Sequence, residues 1–383
     1  MNLLLIFLSA ILVVWIVLSI DVWRGLGKLT SIEEFQLTAD RPLLSIIVPA
    51  RDEEETISDS ILSQLDQDYH RIEWILVNDR STDSTQWKME AMAKKDKRIC
   101  VLHIDSLEEG WLGKNQALYK GYKRSKGSLI LFTDADVLYK DPSTLSRAVG
   151  FLQSQKLDHL TLAPGIKSQT FWLKSFVAFF LFGFSFYKRP WKANDPSSKT
   201  GMGVGAFNLV TRSAYEEIGT HEKIKNMPDD DLQLGITMKK RGKSQAFLTA
   251  LKSLEVEWYH SLKEAFKGLE KNTFAGLHYS ILVVLFAMIG VFSSTVLPFL
   301  TVFSKDPSIV TVSLLIIFFI GITYVKVIKK MTNESPFLFL SLPVTALLFT
   351  YSIARATVLT FKRGGVEWRG TIYPLKVLKQ KRK

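Results

Sequence analysis

The chain has 383 residues, with 49 lysines and arginines against 37 aspartates and glutamates, a net charge of +12, and 47% hydrophobic residues. This length implies two domains, or one domain together with membrane segments. Cys100 is the only cysteine, which excludes an internal disulfide framework and favours a reducing compartment for most of the chain. The positive excess lies mainly beside apolar segments and no nucleic-acid-binding motif occurs, so the composition disfavours a nucleic-acid partner.

An apolar, uncharged stretch opens the chain at residues 2–20 and is long enough to cross a bilayer as a helix. It lacks the basic start and the small-residue cleavage site of a signal peptide, so residues 1–22 are predicted to be an uncleaved membrane anchor. Arg24 and Lys28 follow it, and by the positive-inside rule the next part of the chain is expected in the cytoplasm.

Three further apolar runs predict a C-terminal transmembrane region of about three helices over residues 277–361, followed by a basic juxtamembrane tail, 362–383. Lysines between the last two runs and the basic tail both indicate the cytoplasmic side, although a full crossing would separate them. Pro343 and Arg355 favour a broken or re-entrant last run, so the number of crossings stays open. The runs are 277–303, 309–325 and 336–361.

Residues 42–255 alternate between short runs rich in β-branched apolar residues and stretches with helical spacing of apolar residues. Such alternation predicts an α/β domain with a doubly wound, mostly parallel sheet. The predicted strands are 42–50, 72–79, 98–104 and 127–136, and the predicted helices are 58–67, 81–95 and 114–125.

Polar residues follow three of these predicted strands, and ligands of such sheets bind at the carboxyl ends of the strands. Carboxylates at strand ends also commonly cap the next helix, an alternative that fits single positions but not all of them together. The sequence after the first strand, PARDEEE, is not a glycine-rich phosphate loop, which disfavours a nicotinamide-binding domain. The residues are Arg51, Asp52, Glu53, Asn78, Asp79, Asp134 and Asp136.

Asp134 and Asp136 stand at the tip of the fourth predicted strand, separated by one alanine. Alternate residues of an extended chain share a face, so both carboxylates are expected on the same side. A hard divalent cation, Mg²⁺ or Mn²⁺, would neutralise their repulsion and bridge to the oxygens of a diphosphate. The pattern therefore predicts a metal-dependent nucleotide site with Asp134 and Asp136 as metal ligands.

Five motifs, in this order, resemble the family 2 glycosyltransferases, which have the GT-A fold. The flanking apolar segments, GWLGKNQAL at 110–118 and GGVEWRGTIY at 364–373 are similar to a lipid-directed membrane subgroup that includes hopanoid-associated and carotenoid (diaponeurosporenoate) glycosyltransferases. The five motifs are SIIVPARDEEETISDSILSQLDQDY, WILVNDRSTDST, LFTDADVLY, GMGVGAFNLVTRSAYEEIGTH and MPDDDLQLGITMKKRG.

The resemblance implies that one group of residues binds a nucleotide-sugar donor. Asp52 and Glu53 stand where the family has an Asn-Glu pair that contacts the nucleoside, and the aspartate departs from that pattern. Asp79 would accept a hydrogen bond from uracil, Asp134 would contact ribose or sugar, and Asp136 would ligate the metal. The expected donor-binding residues are Pro49, Arg51, Asp52, Glu53, Asp79, Lys114, Asp134 and Asp136, with Lys114 near the diphosphate.

The resemblance also implies an acceptor side in PDDDLQLG, where the family's Glu-Asp pair supplies the catalytic base. The pair aligns with Asp230 and Asp231, which makes Asp231 the expected base. Asp229 gives the competing register, and capping of the following helix is the structural alternative. A flexible glycine loop and the EWRG stretch are expected to add acceptor or diphosphate contacts, through Gly203, Gly205, Trp368 and Arg369.

Two segments outside the long apolar runs are predicted to lie in the membrane interface. Residues 171–191 are apolar and aromatic with basic residues inside and at the end, which favours an interfacial helix over a buried core helix. Residues 256–276 contain an amphipathic stretch whose basic residues suit an anionic cytoplasmic leaflet.

The resemblance and the residue pattern together predict a multi-pass cell-membrane enzyme with a cytoplasmic catalytic domain. It would be an inverting glycosyltransferase that moves one sugar from a nucleotide-sugar, with a UDP-sugar expected, to a lipid such as a polyprenoid, carotenoid or glycerolipid. One alternative is a processive polysaccharide synthase, which the absence of a Gln-x-x-Arg-Trp motif disfavours. The other is a non-catalytic membrane scaffold that retains the domain.

Overall fold

The computed structural model describes residues 2–35, 41–277, 279–368 and 371–375. The chain separates into two compact units. The helical unit comprises Met1–Leu26, Ser168–Tyr187 and Trp258–Lys383, and the α/β unit comprises Gly27–Lys167 and Lys188–Glu257.

Strands and helices alternate through the α/β unit, whereas the long apolar helices belong to the helical unit. The α-helices are α1 Leu3–Leu26, α2 Ile57–Leu65, α3 Thr85–Lys95, α4 Gly113–Arg124, α5 Thr144–Ser154, α6 Phe171–Lys188, α7 Arg212–Glu217, α8 Asp230–Lys240, α9 Leu262–Gly276, α10 Ile281–Thr295, α11 Leu297–Thr301, α12 Pro307–Met331 and α13 Leu342–Arg363. Short 3-10 helices cover Ile32–Glu34, Pro190–Asn194, His221–Ile224 and Pro336–Ser341. The strands are β1 Leu44–Ala50, β2 Ile72–Asp79, β3 Ile99–Ile104, β4 Leu129–Phe132, β5 Leu138–Tyr139, β6 His159–Ile166, β7 Asn208–Thr211, β8 Gln245–Val256, β9 Gly365–Trp368 and β10 Thr371–Pro374.

The sheet of the α/β unit has the strand order β3-β2-β1-β4-β7-β6-β8-β5. The strands β3, β2, β1 and β4 are parallel neighbours, and β6 is parallel to β8. β7 runs antiparallel to both β4 and β6, and β5 runs antiparallel to β8, so the sheet is mixed. The predicted doubly wound, mostly parallel sheet is confirmed, and the antiparallel strands are the feature that the sequence pattern did not indicate.

Both faces of this sheet are buried, which is why its central strands are nearly continuous apolar runs. In β1, Ile46 and Val48 pack in one core together with residues of α2, α3 and α5. Ile47, between them, packs in a second core together with residues of α4, α7 and α8. The alternation of side chains along β1 therefore places α4 and α8 on the same face of the sheet.

The fourth predicted strand is shorter than expected. β4 ends one residue before Thr133, and Asp134 and Asp136 lie in the turn that follows, so the expectation that they share a strand face is wrong. The strand ends here because its next polar groups pair with a distant loop. The Thr133 hydroxyl donates to the Ala206 carbonyl at 2.7 Å, and the Asp134 N–H donates to the Gly205 carbonyl at 3.1 Å.

Four stretches among the described residues are long and apolar enough to cross a membrane. They fall on the predicted N-terminal anchor and on the three C-terminal runs. Pro343 does not break the last of them, because it lies in the first turn of α13, where its missing N–H is tolerated, and the helix continues to Arg363. The stretches are Leu3–Leu26, Ile281–Thr301, Pro307–Met331 and Pro336–Arg363.

α6 and α9 cover much of the two predicted interfacial segments and pack against the long helices of the helical unit. Phe179 of α6 lies against Phe349 of α13, with ring centroids 5.5 Å apart. α9 buries Glu270, whose carboxylate pairs with Arg355 at 3.0 Å and with Arg363 at 2.8 Å. These pairs explain how an arginine is accommodated within the last apolar run. Placement of the two helices at a membrane interface stays a prediction.

Candidate active site

A small, partly open pocket lies beyond the carboxyl end of β4, lined by residues that include the first turns of α4 and α8. Polar groups converge here because β1, β2 and β4 are parallel neighbours whose carboxyl ends meet at one edge of the sheet. The structure therefore brings acids of the predicted donor side and of the predicted acceptor side into one pocket. The predicted residues that line it are Lys114, Asp134, Gly205, Asp230 and Asp231.

Lys114 is the positive charge that these acids share. It lies in the first turn of α4, with its Nζ 2.6 Å from Asp134 Oδ1 and 3.5 Å from Asp230 Oδ2. Burial alone would lower the pKa of Lys114, but the carboxylates of Asp134, Asp230 and Asp231 together raise that pKa above its ordinary value. The lysine therefore stays charged and holds the two groups of acids at one place.

The backbone of Gly205 connects the same two groups of acids. Its N–H donates to Asp231 Oδ2 at 2.8 Å, and its carbonyl accepts from the N–H of Asp134 at 3.1 Å. A Cβ at position 205 would lie 2.3 Å from Asp134 Oδ2, and a Cβ on Gly203 would lie 1.8 Å from the Asp231 carbonyl oxygen. The glycines thus permit close packing against α8 and Asp134, which differs from the flexible loop expected from the sequence.

The acidic triplet opens α8. Asp229 is the N-cap residue, but its side chain makes no capping bond to the helix backbone, and its Oδ2 accepts instead from Gln233 Nε2 at 2.9 Å. Asp230 is 6% exposed and faces Lys114. Asp231 lines the pocket, so the triplet is placed at a helix start without its side chains serving mainly as caps.

The Asp231 side chain is partly exposed and lines the pocket, and its carboxyl has a raised pKa. Burial raises the pKa of its carboxyl, and the negative charges of Asp134 and Asp229 add to this effect. The charge of Lys114 and the Leu232 N–H, which donates to Asp231 Oδ1 at 2.7 Å, act in the opposite direction. The net result is a carboxylate of raised proton affinity, which is the property that a general base requires.

Asp79, at the end of β2, is buried and 3% exposed. The Arg80 guanidinium donates two hydrogen bonds to this carboxylate, from Nε to Oδ1 at 2.8 Å and from Nη2 to Oδ2 at 3.1 Å. The start of α4 packs directly on this carboxylate, because a Cβ on Gly113 would lie 2.3 Å from Asp79 Oδ2. Arg80 was not among the predicted residues, although it directly follows the aspartate in the second motif.

The end of β1 is fastened to the loop after β2. Asp52 has a φ of 54°, and its Oδ1 accepts from the Thr82 N–H at 2.8 Å. The Glu53 N–H donates to Thr85 Oγ1 at 2.8 Å, and Glu53 Oε2 accepts from Thr56 Oγ1 at 3.2 Å. These bonds order two of the predicted donor-binding loops against each other. The other predicted residues of this strand end are Pro49, within β1, and Arg51, directly after it.

The carboxyl of Asp136, on the donor side, has a strongly raised pKa. Burial first, and then the charges of Asp134 and Glu53, raise the pKa of Asp136 well above its ordinary value, while Lys114 opposes the shift. The repulsion expected between the paired aspartates is therefore present in the turn. Among the described residues, no three His, Cys, Asp or Glu side chains are grouped to hold a metal. Two carboxylates plus phosphate oxygens and water are, however, a usual magnesium environment.

Two buried histidines lie at or near the pocket, and neither was assigned a role from the sequence. His221 lines the pocket, and its Nδ1 is 2.6 Å from the Tyr215 hydroxyl. His159 places its Nε2 3.0 Å from Oδ1 of Asn208, which also lines the pocket. His221 ends the fourth motif, which is the only signal in the sequence that could have indicated it.

The EWRG stretch, from which two contact residues are predicted, belongs to the helical unit. Trp368 is the last residue of β9, which pairs antiparallel with β10 in the helical unit. Arg369 lies outside the described residues. Their assignment to diphosphate or acceptor contacts stays a prediction.

The fold is of the GT-A type. A solved mannosyltransferase, PcManGT from Pyrobaculum calidifontis, described as a complex with GDP-Man and Mn²⁺, aligns over 94% of this chain and 98% of its own length. The TM-score is 0.52 and the sequence identity is 14%, a likeness that shows the fold alone.

The sequence comparisons agree with the resemblance to family 2 glycosyltransferases. Residues 45–219 match the family model Glycosyl transferase family 2. An uncharacterized glycosyltransferase of Haemophilus influenzae is 37% identical over 120 residues, which are 31% of this chain and 35% of that protein. The 4,4'-diaponeurosporenoate glycosyltransferase of Staphylococcus aureus is 22% identical over 354 residues, 88% of this chain and 90% of that protein. The resemblance stated from the motifs is confirmed.

The free energy of unfolding is expected to decrease as the pH decreases, because the two buried histidines are neutral in the folded protein. Burial lowers the pKa of His159 to about 4 and, with the charge of Lys114, that of His221 to about 3. An unfolded histidine has a pKa of about 6.5, so below that pH the unfolded chain binds protons that the folded chain does not. At pH 5 each histidine should lower the free energy of unfolding by on the order of 2 kcal/mol.

Thermal unfolding midpoints of the full chain over a pH series measure this effect. His159→Gln should flatten the pH dependence relative to the wild type. His70→Gln changes an exposed histidine and should leave the dependence unchanged. A slope for His159→Gln equal to that of the wild type would contradict the assignment.

Gly203→Ala should separate the glycine loop from α8, since the added methyl group would overlap the Asp231 carbonyl oxygen. Overpacking of this kind costs about 1–3 kcal/mol, which a lowered unfolding midpoint would report. Gly183→Ala is the control, because a Cβ at Gly183 in α6 meets no atom within 4 Å. Equal midpoints for the two variants would show that the loop does not pack as described.

Proposed function

We propose that this protein is a membrane-bound, inverting glycosyltransferase that transfers one sugar from a nucleotide-sugar, expected to be a UDP-sugar, to a lipid acceptor. One observation carries the proposal. Lys114 and the Gly205 backbone hold Asp134, an acid of the donor side, within one pocket with Asp230 and Asp231. A transferase needs this combination, because the leaving group and the attacking oxygen meet at a single carbon atom.

The donor would bind along the carboxyl ends of β1, β2 and β4. Asp79 and the ordered loop at Asp52 and Glu53 would contact the nucleoside, and Asp134 would contact ribose or sugar. Lys114 lies where it could approach the diphosphate. Its charge would then be shared between the acids and the phosphate oxygens.

Asp136, together with Asp134, would hold Mg²⁺ or Mn²⁺. The fit rests on the two acids themselves, whose mutual repulsion raises the pKa of Asp136 and would be relieved by a cation. Asp134 already uses Oδ1 for Lys114 at 2.6 Å, which makes Asp136 the principal ligand. When bound, the cation supplies positive charge that stabilises the departing nucleoside diphosphate.

Asp231 would act as the general base. The acceptor oxygen attacks the anomeric carbon and forms the new C–O bond as its proton passes to a carboxylate oxygen of Asp231. The bond from the anomeric carbon to the diphosphate breaks, and its electron pair leaves with the diphosphate, which inverts the configuration. Asp230 is less suited to this role, because it is buried and its carboxylate faces Lys114 at 3.5 Å.

A lipid acceptor is supported by two observations. The helical unit contains four stretches that could cross a membrane among its described residues. The staphylococcal relative, which is matched over nearly its whole length, is named for a carotenoid acid.

Arg24 and Lys28 after the N-terminal anchor favour a cytoplasmic catalytic domain in the cell membrane. The absence of a Gln-x-x-Arg-Trp motif favours addition of a single sugar over polymerisation.

Asp231→Asn should lower kcat by about 10²–10⁴-fold, the usual contribution of a general base, while UDP still binds in the presence of Mn²⁺. Asp136→Asn should instead weaken the Mn²⁺-dependent binding of UDP. The measurements are nucleotide release from UDP-sugars in vesicles of a total bacterial lipid extract, and calorimetry with UDP.

Asp229→Asn is the matched control for the competing register, since it removes the same charge two residues earlier. If Asp229→Asn lost activity and Asp231→Asn retained it, the base would be misassigned. Mass spectrometry of lipids from cells with and without the protein tests the reaction itself: a hexose-sized shift on one lipid class is expected. Elongated sugar chains would favour the processive synthase, and unchanged lipids would contradict the proposal.

A further inference from the structure

Asn115 is a buried amide in the first turn of α4, with 1% of its surface exposed. Its side-chain nitrogen donates to two backbone carbonyls, that of Ile224 at 2.7 Å and that of Met227 at 3.0 Å. Both carbonyls belong to the segment 224–227, which directly precedes Pro228 and the acids that open α8. We call this segment the base-bearing loop.

The orientation of the Asn115 amide follows from these partners. The NH₂ group has two N–H donors, and each meets one carbonyl oxygen. A reversed amide would place its own oxygen against the carbonyls of Ile224 and Met227 and leave all three without a donor. In a buried position that arrangement is costly, so the two bonds are specific to an amide nitrogen at this position.

A further hydrogen bond joins the base-bearing loop to the start of α4. The N–H of Leu112, the residue before α4, donates to the carbonyl of Lys225 at 2.8 Å. The Lys225 ammonium lies 5.9 Å from the ring centroid of Trp111. Three of the four residues of the loop, Ile224, Lys225 and Met227, are therefore tied to the start of α4.

The same turn of α4 also contacts the donor side. Gly113 packs on the Asp79 carboxylate, and Lys114 pairs with Asp134 and Asp230. Asn115 comes next and binds the base-bearing loop. Three successive residues in one turn of α4 thus contact acids of the donor side and the base-bearing loop.

We propose that Asn115 is a positioning residue that fixes the distance between Asp231 and the donor site. The inference rests on the proposed function, since it concerns the base of that reaction. Asn115 acts through the base-bearing loop and has no direct role toward the substrate. Its loss should therefore move Asp231 relative to a donor that still binds normally, and a displacement of about 1 Å can cost about 10²-fold in rate.

The test compares Asn115→Ala and Asn115→Asp with a matched control, Gln67→Ala. Gln67 is likewise a buried amide, 4% exposed, that binds two backbone groups: the Asp141 carbonyl at 2.8 Å and the Leu145 N–H at 3.1 Å. Neither of these partners is a proposed site residue. Asp at position 115 keeps the shape but replaces the donors by acceptors, so it should be at least as harmful as Ala.

The expected result is a kcat for nucleotide release lower by about 10–10²-fold in both Asn115 variants. The KM for the UDP-sugar and the calorimetric Kd for UDP with Mn²⁺ should stay within about two-fold of the wild type. Gln67→Ala should lower the unfolding midpoint comparably and leave kcat unchanged. If Asn115→Ala fails to fold, Asn115→Ser, which keeps one donor, is measured instead and should give a smaller loss of the same kind.

Two results would overturn the inference: a folded Asn115 variant with kcat within two-fold of the wild type, or one whose UDP affinity falls as much as its kcat. Failure of the proposed function is a different result. In that case the wild-type chain releases no nucleotide from UDP-glucose, UDP-N-acetylglucosamine or GDP-mannose in lipid vesicles, or Asp231→Asn is as active as the wild type.

Discussion

The backbone of Gly205 bonds to an acid on either side: its N–H donates to the Asp231 carboxylate, and its carbonyl accepts from the N–H of Asp134. No side chain fits at this position, because a Cβ would meet Asp134 Oδ2 at 2.3 Å. Much of the architecture follows from this contact. β4 must end before the first aspartate, the glycine loop must lie against α8, and both must approach the same end of the sheet.

Bringing acids so close requires a compensating charge, and Lys114 supplies it from α4. The carboxylates raise the pKa of the lysine, whereas Asp136 lies beyond its direct reach and carries a raised pKa of its own. Lys114 pairs with Asp134 and Asp230, so negative charge is least well compensated at Asp136. That asymmetry is what a site for a metal-bound diphosphate would have, since the ligand would bring the missing positive charge with it.

Local patterns predicted the fold well where burial alone decides the structure. β2 is predicted at its observed bounds because both of its faces are buried, which leaves a continuous apolar run. The end of β4 was misplaced because its terminating bonds reach loop residues more than 70 positions away. Arg80 and Asn115 were missed for a related reason. An asparagine inside a helix carries no sign that its partners are carbonyls 109 and 112 residues later.

Donor and base are expected to share one pocket, and a structure of the full chain with UDP and Mn²⁺ would show whether they do. Anomalous scattering would locate the manganese without reference to the protein density. Manganese is expected on Asp136, between this carboxylate and the diphosphate, with the diphosphate in the pocket that Lys114 and Asp231 line. Manganese held away from Asp134 and Asp136, or a diphosphate bound outside that pocket, would contradict it.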